Sequence, residues 1–268
     1  MSETALDRAH AAMDAAPEVE AARLGFYRAL ADCELFLLLS TEAEGESISP
    51  EVFSFDAGSY VLVFDAEERL ADFVGKAAPY AALSGRALAG MLAGQGIGLG
   101  VNVDVAPSSI LLPAEAVDWL AETLAPAPEA AEGAVATGFA PPVLAEPVMI
   151  AVETRLAAMP GVAAGAAMVA ARFADGREGH ILGIFDAAPE AEAPLAKAMA
   201  EAQVFAGMGG EGFDIAFFSG GGAREAEMRA AGRWFDVPDP APEPPEQVQI
   251  PGSAPGRGRR GLRSSNKS

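Results

Sequence analysis

A stretch rich in alanine, proline, glycine and glutamate interrupts the chain at residues 125–147. It has no sustained apolar period, whereas the segments on both sides have one, and such a break is typical of a linker. The 268 residues are enough for one large domain or two small ones. We therefore expect an N-terminal domain over 1–125, a linker over 126–145 and a C-terminal domain over 146–236. Proteolysis at the linker should give fragments of about 14 and 11 kDa.

The N-terminal part alternates between helix and strand patterns. Apolar residues at helical spacing predict two helices within residues 3–31, and the apolar run 34–39 is typical of a strand covered on both faces. Strands over 52–55 and 60–64 flank a hairpin turn. The further predicted elements are a helix that Asp65 and Glu68 open as a capping box, a helix over 84–93, strands over 99–103 and 109–112, and a helix over 113–124.

Beyond the linker the pattern restarts in the order helix, strand, strand, helix, strand, helix. The predicted bounds are 148–158, 162–173, 179–185, 192–205, 213–218 and 222–232. This order fits a small layer of helices on a mixed sheet. The predicted fold class is therefore α+β, with two small α/β-layer domains, each a mixed sheet packed by helices.

Residues 237–268 form a tail of unusual composition. Five prolines fall within eight residues and a basic Gly/Ser/Arg end follows, so we expect the tail to be disordered. The whole chain has 38 acids against 18 bases and a net charge of −20. Such a surface repels phosphate backbones and anionic lipid. No membrane contact is expected, and nucleic acid could be a partner only through the basic residues 257–268.

The start of the chain has neither the basic nor the apolar region of a secretory signal. No aliphatic run approaches the roughly 18 residues of a membrane span, and the apolar stretch 162–171 is better explained as a buried strand. These observations predict a cytoplasmic protein.

Two glycine-rich motifs resemble phosphate-binding loops. Residues 207–212 read G-x-G-x-x-G, but a dinucleotide fingerprint follows a strand and opens a helix, whereas this motif follows a predicted helix and opens a strand. Residues 219–222 join a strand to a helix, where backbone amides can hold an anion. Glu225 and Glu227 in the first helical turn would repel phosphate. A flexible connection and a helix cap are the favoured interpretations, and no cofactor is expected.

Catalytic and metal-binding patterns are sparse, and we assign no catalytic residue. His180, Asp214 and Ser219 could form a triad only through the fold, and their spacing gives no support for one. Cys33 lies between two carboxylates, which raise a thiol pKa, so a reactive thiolate is not expected. One cysteine and two histidines predict no metal site. The acidic loop 42–46 lacks the alternation of a calcium loop.

The polar segment 102–109 carries the one binding site that we predict. It follows a predicted strand and faces the glycine-rich loop 94–98, where the backbone can be approached closely. Loops at strand ends often hold ligands. Asn102, Ser108 and Ser109 are therefore the predicted binding residues on the surface of the N-terminal domain, with a plain turn as the alternative.

Several segments, taken in order, resemble the SseB family of enhanced serine sensitivity proteins. In the first half they are residues 26–30, 35–39, 60–64, 67–70, 80–83, 100–102 and 109–115; in the second half they are 148–160, 176–185, 213–217 and Trp234-Phe235. Two positions depart from the family pattern. Asp65-Ala66 stands where members commonly have Thr-Ser, and Val103 stands where they commonly have proline.

The resemblance implies a cytoplasmic bacterial protein of two α/β domains, named after a serine-sensitivity phenotype and without an established enzymatic reaction. With the sparse catalytic patterns, it favours a non-enzymatic binding or regulatory protein whose partner is an unknown protein or small molecule. The alternative is an enzyme with an unrecognised carboxylate- or Ser-based site, which requires converging carboxylates of shifted pKa in a pocket. A third hypothesis is an interaction module that binds nucleic acid or ribosomes through the basic tail.

Overall fold

The computed structural model describes residues 2–43, 45, 47–56, 58–125, 135–208 and 212–240. They form two α/β domains, each with a mixed sheet packed by helices, so the predicted fold class is confirmed. The elements of the first domain are α1 (Ala5–Ala15), α2 (Glu20–Asp32), β1 (Glu34–Leu38), β2 (Val52–Phe55), β3 (Gly58–Phe64), α3 (Glu67–Val74), β4 (Tyr80–Ser84), α4 (Gly85–Leu92), β5 (Ile97–Val101), β6 (Ile110–Leu112) and α5 (Ala114–Leu124).

The first sheet has the strand order β4-β1-β3-β5-β6, and β2 pairs with the first half of β3. Strands β3 and β5 run parallel, with Val61 opposite Leu99, and the other pairs are antiparallel. Because β3 and β5 are parallel neighbours, their carboxyl ends meet at one edge of the sheet. The segments that follow these two strands are therefore brought together.

Alternation along β3 divides the apolar residues of this domain between two faces of the sheet. Val61 and Val63 belong to the main core, to which α1, α2, α4 and α5 also contribute. Leu62 and Phe64 point to the other face and pack with Leu70 of α3 in a smaller cluster. The two faces are thus unequally covered, by four helices on one side and one short helix on the other.

The second domain follows the predicted order, with one additional strand before it and one after it. Its elements are β7 (Ala136–Ala140), α6 (Glu146–Ala157), β8 (Gly165–Phe173), β9 (Glu178–Phe185), α7 (Pro189–Phe205), β10 (Phe213–Phe218), α8 (Ala223–Ala231) and β11 (Arg233–Phe235). The sheet order is β10-β9-β8-β11, and β7 pairs with the second half of β8. Only the β10–β9 pair is parallel in the described sheet. Helices α6 and α7 pack on one face and α8 on the other.

The two domains share apolar and charged contacts. Phe205, at the end of α7, is buried in the main core of the first domain. Arg86 of α4 donates to both oxygens of the buried Glu201 of α7, at 2.7 and 3.0 Å. Arg155 of α6 lies 3.0 Å from a carboxylate oxygen of Asp32 at the end of α2. Helices α6 and α7 therefore both contact the first domain, and α7 does so through apolar as well as charged side chains.

Three strands were not predicted from the sequence: β4, β7 and β11. Strand β7 lies inside the stretch 126–145 that we expected to be linker, and it belongs to the second sheet because it pairs with β8. The start of the expected disordered tail is also packed, since Val237 contacts the core under α6 and α7. Residues 241–268 and 126–134 lie outside the described residues, and the domain boundaries stay predictions.

The apolar stretch 162–171 lies largely within β8, as predicted, and not in a helix. Among the residues that the structure describes, no helix has the length and apolar character needed to cross a membrane.

Candidate functional site

The predicted binding segment, residues 102–109, connects β5 to β6. The Asn102 N–H donates to the C=O of Val63 at 2.8 Å, so the segment begins where the parallel strands β3 and β5 both end. In open α/β sheets, ligands bind outside the carboxyl ends of the strands. The segment thus lies at a strand end, as the sequence analysis predicts.

Asn102 and Ser108 do not lie on the surface, and that expectation is wrong: both residues are 0% exposed. Asn102 Oδ1 accepts the Asp65 N–H at 3.1 Å, and Asn102 Nδ2 donates to Ser108 Oγ at 2.8 Å. Ser108 in turn donates to Asp7 Oδ1 at 2.6 Å. Ser109 is exposed, as predicted. A role in binding for these three residues stays a prediction.

A buried ion cluster continues this hydrogen-bond chain. Arg69 Nη1 donates to Asp7 Oδ1 at 3.0 Å and to Asp65 Oδ1 at 2.7 Å, and Arg69 Nη2 donates to Asp7 Oδ2. The three side chains are 3–5% exposed. Thr4 Oγ1 donates to the second oxygen of Asp65 at 2.6 Å. The planar guanidinium suits this arrangement because it presents several donors in a fixed fork. We call Thr4, Asp7, Asp65, Arg69, Asn102 and Ser108 the buried polar network.

Hydrogen bonds within this network stabilise the charged forms of Asp7 and Arg69. Burial alone would raise the pKa of the Asp7 carboxyl, but hydrogen bonds from Arg69, Ser108 and the Thr4 backbone hold it well below its usual range. The hydrogen bond to Asp7 raises the pKa of Arg69 against the opposing effect of burial. Both groups therefore stay ionised near neutral pH. Their polar atoms are bonded to one another, so the network holds the fold together and offers no free acid or base.

The backbone at Asn102 and just after it has an unusual conformation. Asn102 and Asp104 have positive φ values of 47° and 59°, in the left-handed region that few residues other than glycine adopt. Asp104 is exposed, and its N–H donates to Ser109 Oγ at 3.2 Å. Two further backbone bonds, from Val105 to Asn102 and from Ser109 to Ala106, close turns inside the segment. Hydrogen bonds from Asn102 and within the segment therefore support residues 103–109, which we call the recognition loop because the sequence analysis predicts binding there.

Thr4, Asp7 and Arg69 were missed by the sequence analysis. A local signal existed for two of them, because Thr4 and Asp7 have capping-box spacing. In the structure the Asp7 N–H donates to Thr4 Oγ1 at 3.1 Å, and the Thr4 N–H donates to Asp7 Oδ2 at 3.0 Å. The capping box predicted at Asp65 and Glu68 is wrong. Ala66 is the N-cap of α3 without a side-chain cap, because the Asp65 carboxylate binds Arg69 and Thr4 instead.

The structure does not bring His180, Asp214 and Ser219 together. His180 pairs with Phe213 across the parallel strands, next to Asp214. Ser219 follows the opposite end of β10, five residues from Asp214 or about 16 Å along an extended strand. His180 Nε2 accepts the Val143 N–H at 3.2 Å. These positions give no nucleophile–base pair.

The glycine motif at residues 219–222 binds carboxylates of the chain itself. The Gly220 N–H donates to Asp186 Oδ1 at 2.7 Å, and the Gly221 N–H donates to Glu225 Oε2 at 2.6 Å. Two amides of the motif are therefore occupied by carboxylates of the chain, which agrees with the cap interpretation. The motif at 207–212 follows α7 and precedes β10, as predicted, but residues 209–211 lie outside the described part of the chain.

A cleft of about 1470 Å³ lies in the second domain, between β7 and the start of β10. Arg172 and Arg177 line it together with acidic side chains. Arg172 donates to Glu178 at 2.8 Å, and Arg177 donates to Asp214 at 3.4 Å. The Arg177 guanidinium also lies 4.1 Å from the centre of the Phe173 ring. The charged groups of the cleft are therefore already paired with one another.

The surroundings of Cys33 disfavour its thiolate form. Its Sγ donates to the Leu30 C=O at 3.3 Å, and burial, with smaller contributions from Asp65 and Asp32, raises its pKa to about 12. Among the described residues, no three His, Cys, Asp or Glu side chains are grouped to hold a metal ion. Two residues of the acidic loop, 44 and 46, fall outside that description.

Comparison with known proteins identifies the first domain. Residues 6–119 match the SseB protein N-terminal domain, and this range extends from α1 into α5. It includes five of the six members of the buried polar network, and only Thr4 lies outside it. No curated protein and no solved structure matches the chain.

Proposed function

Because residues 6–119 form an SseB N-terminal domain, we propose that the protein is a non-enzymatic binding or regulatory protein that recognises its partner through the recognition loop. The partner is a protein or a small molecule, and no cofactor takes part. A cytoplasmic location belongs to the same proposal and rests on the resemblance described above.

The observation that carries this proposal is the hydrogen-bonded, left-handed backbone of the recognition loop. Asp104 is exposed in a left-handed conformation, and the buried polar network fixes the start of the loop through Asn102. Strained backbone that the surrounding structure holds in place is concentrated at binding sites. A loop that is already ordered loses little conformational entropy when a partner binds, which favours affinity.

The distribution of titratable groups favours binding over catalysis. Asp7, whose pKa is strongly lowered, is buried against Arg69 and not exposed to a cavity. In the cleft of the second domain, Glu178 and Asp214 are bonded to arginines. An enzyme with a carboxylate- or Ser-based site, the alternative, needs a free acid or base in a pocket. Catalysis is therefore the weaker candidate.

Two double variants test the loop directly. Asp104→Asn with Ser109→Ala removes a charge and a hydroxyl from the recognition loop, and Asp104→Asn keeps a residue type that tolerates a left-handed backbone. Asp72→Asn with Ser54→Ala makes the same chemical changes at exposed positions outside the loop. Each full-length chain is immobilised and used to capture ligands from lysate of the source cells. Thermal unfolding checks that both variants are folded.

We expect the loop variant to lose partner capture by about 10- to 100-fold, which corresponds to removing one or two hydrogen bonds at an interface. The control variant should capture as much as the original chain. If both variants capture the same partners equally well, the recognition loop is not the contact surface. A partner lost in both variants would also contradict the proposal, because the effect would not be specific to the loop.

A further inference from the structure

Four charged side chains meet where the two domains touch. Asp32 and Arg86 belong to the first domain, and Arg155 and Glu201 belong to the second. Every hydrogen bond and ion pair that we find between described residues of the two domains joins two of these four. Neither a backbone hydrogen bond nor a strand pair crosses between the described parts of the domains. We call the four residues the interdomain cluster.

Acids and bases alternate around the interdomain cluster. Arg86 donates to both oxygens of Glu201, at 2.7 and 3.0 Å, and to Asp32 Oδ1 at 3.2 Å. Arg155 lies 3.0 Å from Asp32 Oδ2 and 3.8 Å from Glu201 Oε2. The Glu201 side chain is only 5% exposed, so its charge depends on the two arginines for compensation.

Two members of the cluster occupy helix ends that do not favour their charges. Asp32 is the last residue of α2, where the helix dipole favours a base, and Arg86 is in the first turn of α4, where it favours an acid. Residues that contradict a local preference often serve an interaction elsewhere in the protein. The positions of Asp32 and Arg86 therefore point to a role in holding the second domain.

The remaining contact between the domains is small. Among the described residues, Phe205 is the only one of the second domain that is buried in the main core of the first. Arg155 Nε is buried without a hydrogen-bond partner, which disfavours the closed arrangement. Small, polar interfaces between domains of one chain commonly permit relative motion. The closed arrangement therefore depends on the interdomain cluster.

Dissolved ions can reach one side of the cluster. The side chains of Asp32 and Arg86 are about one-third exposed, at 36% and 35%. Salt screens the attraction between exposed charges, and it does so over shorter distances as its concentration rises. The attraction that holds the domains together should therefore weaken as the ionic strength rises.

We propose that the interdomain cluster is a reversible electrostatic lock, and that the two domains separate as folded units when it is broken by charge reversal or by high ionic strength. Each domain has its own sheet and its own core, so separation leaves both intact. Phe205 becomes exposed when the domains separate, and the cost of exposing it favours their return.

The cluster lies at the edge of the first sheet that carries the recognition loop. Strand β1 is antiparallel to β3, with Phe36 opposite Phe64, so Asp32, just before β1, lies at the carboxyl end of β3. The recognition loop follows β5, and β5 is two strand spacings, or about 10 Å, from β1. Separation therefore moves the second domain relative to the edge that carries this loop.

Distances between spin labels in the full chain, measured by pulsed electron paramagnetic resonance, test the proposal. One label pair, at Ser54→Cys and Ala230→Cys, uses an exposed position in each domain. A second pair, at Ser54→Cys and Gln95→Cys, lies within the first domain and shows whether that domain stays folded. Cys33→Ala removes the native thiol from both backgrounds, and circular dichroism reports on the folding of the whole chain.

The charge variants are chosen so that two changes together restore what each removes alone. Arg86→Glu places an acid against Glu201, and Glu201→Arg places a base against Arg86, so each single change creates repulsion across the interface. In the double variant, two acids of the first domain face two bases of the second, which restores the attraction. Arg172→Glu is the control, because Arg172 pairs with Glu178 inside the second domain.

At low ionic strength we expect one narrow distance between the domains in the original chain, the control and the double variant. Each single variant should give a broad distribution shifted by about 10 Å or more, since a domain of about 100 residues has a radius of gyration of about 13 Å. Salt at about 1 M should broaden the distribution of the original chain in the same way. The distance within the first domain should stay constant throughout.

Three results would overturn the proposal. The first is an unchanged distance between the domains in the single variants or in the original chain at high salt. The second is a double variant that stays open, because the effect of the single changes would then not be electrostatic. The third is a change of the distance within the first domain, or a loss of circular dichroism, because the chain would then unfold and not separate into folded domains.

Discussion

Ser108 donates a 2.6 Å hydrogen bond to Asp7, although 101 residues separate them in the chain. The bond joins the loop after β5 to the first turn of α1, and both residues are buried. Asn102 Nδ2 donates a hydrogen bond to the Oγ of the same serine. The start of the chain is thereby fixed to the edge of the sheet that carries the recognition loop.

This relationship predicts that Asn102 and Ser108 contribute to stability. Asn102→Ala or Ser108→Ala leaves buried partners without a hydrogen bond, and each should lower the free energy of unfolding by about 1–3 kcal/mol. Ser109→Ala, at an exposed position next to them, should change it by less than about 0.5 kcal/mol. Urea unfolding of the three variants measures the differences. Equal stability of all three would show that the buried bonds add nothing.

The low pKa of Asp7 predicts a loss of stability in acid. The folded-state pKa lies below the unfolded value, so the stabilisation is complete above about pH 4 and is lost as the pH falls further toward the folded pKa. Asp7→Asn removes this contribution at all pH values. The difference in unfolding free energy between the original chain and the variant should be largest near pH 6 and should shrink below about pH 4. A constant difference from pH 6 to pH 3 would contradict the assignment.

Phe205 should couple the unfolding of the two domains. Phe205→Ala removes a large side chain of the second domain from the core of the first, and should destabilise the chain by about 3–5 kcal/mol. The only two tryptophans, Trp119 in α5 and Trp234 in β11, report on separate domains. In single-tryptophan chains the two unfolding transitions should coincide, and with Phe205→Ala they should separate. Transitions that coincide in both backgrounds would show that other contacts carry the coupling.

Cys33 should react slowly with thiol reagents in the folded protein. With a pKa of about 12, its thiolate fraction at pH 8 is on the order of 10³ times smaller than that of an ordinary cysteine of pKa about 8.5. The rate of modification by a disulfide reagent, measured in buffer and in concentrated urea, should differ by at least that order. Comparable rates would mean that the thiol is activated in the native fold.

Most helices and strands follow from local patterns, and the exceptions have physical reasons. The β2–β3 hairpin and α5 are predicted because their apolar period is complete within a few residues. Strand β4 carries two alanines and β11 has three residues, so neither has a period of its own. Strand β7 lies among prolines and glycines, and only its pairing with β8 makes it a strand.

The site was harder to predict than the fold because its contacts are distant in sequence. The segment 102–109 was found from its polar residues at a strand end. Its burial could not be found in that way, since it depends on Asp7, which lies on another element of the fold. Arg69 likewise reaches Asp7 across 62 residues. The role of a buried polar residue at such a position can be assigned only when its hydrogen-bond partner is known.

The sharing of Arg69 between two carboxylates has a consequence for how this domain can change in evolution. The guanidinium bonds both Asp7 and Asp65 through one fork, and a lysine at position 69 could not reproduce those directions. Replacing Arg69 would leave two carboxylates in the interior without their counterion, which is a costly intermediate. We expect positions 7 and 69, which share two of these bonds, to be retained or replaced together in related domains.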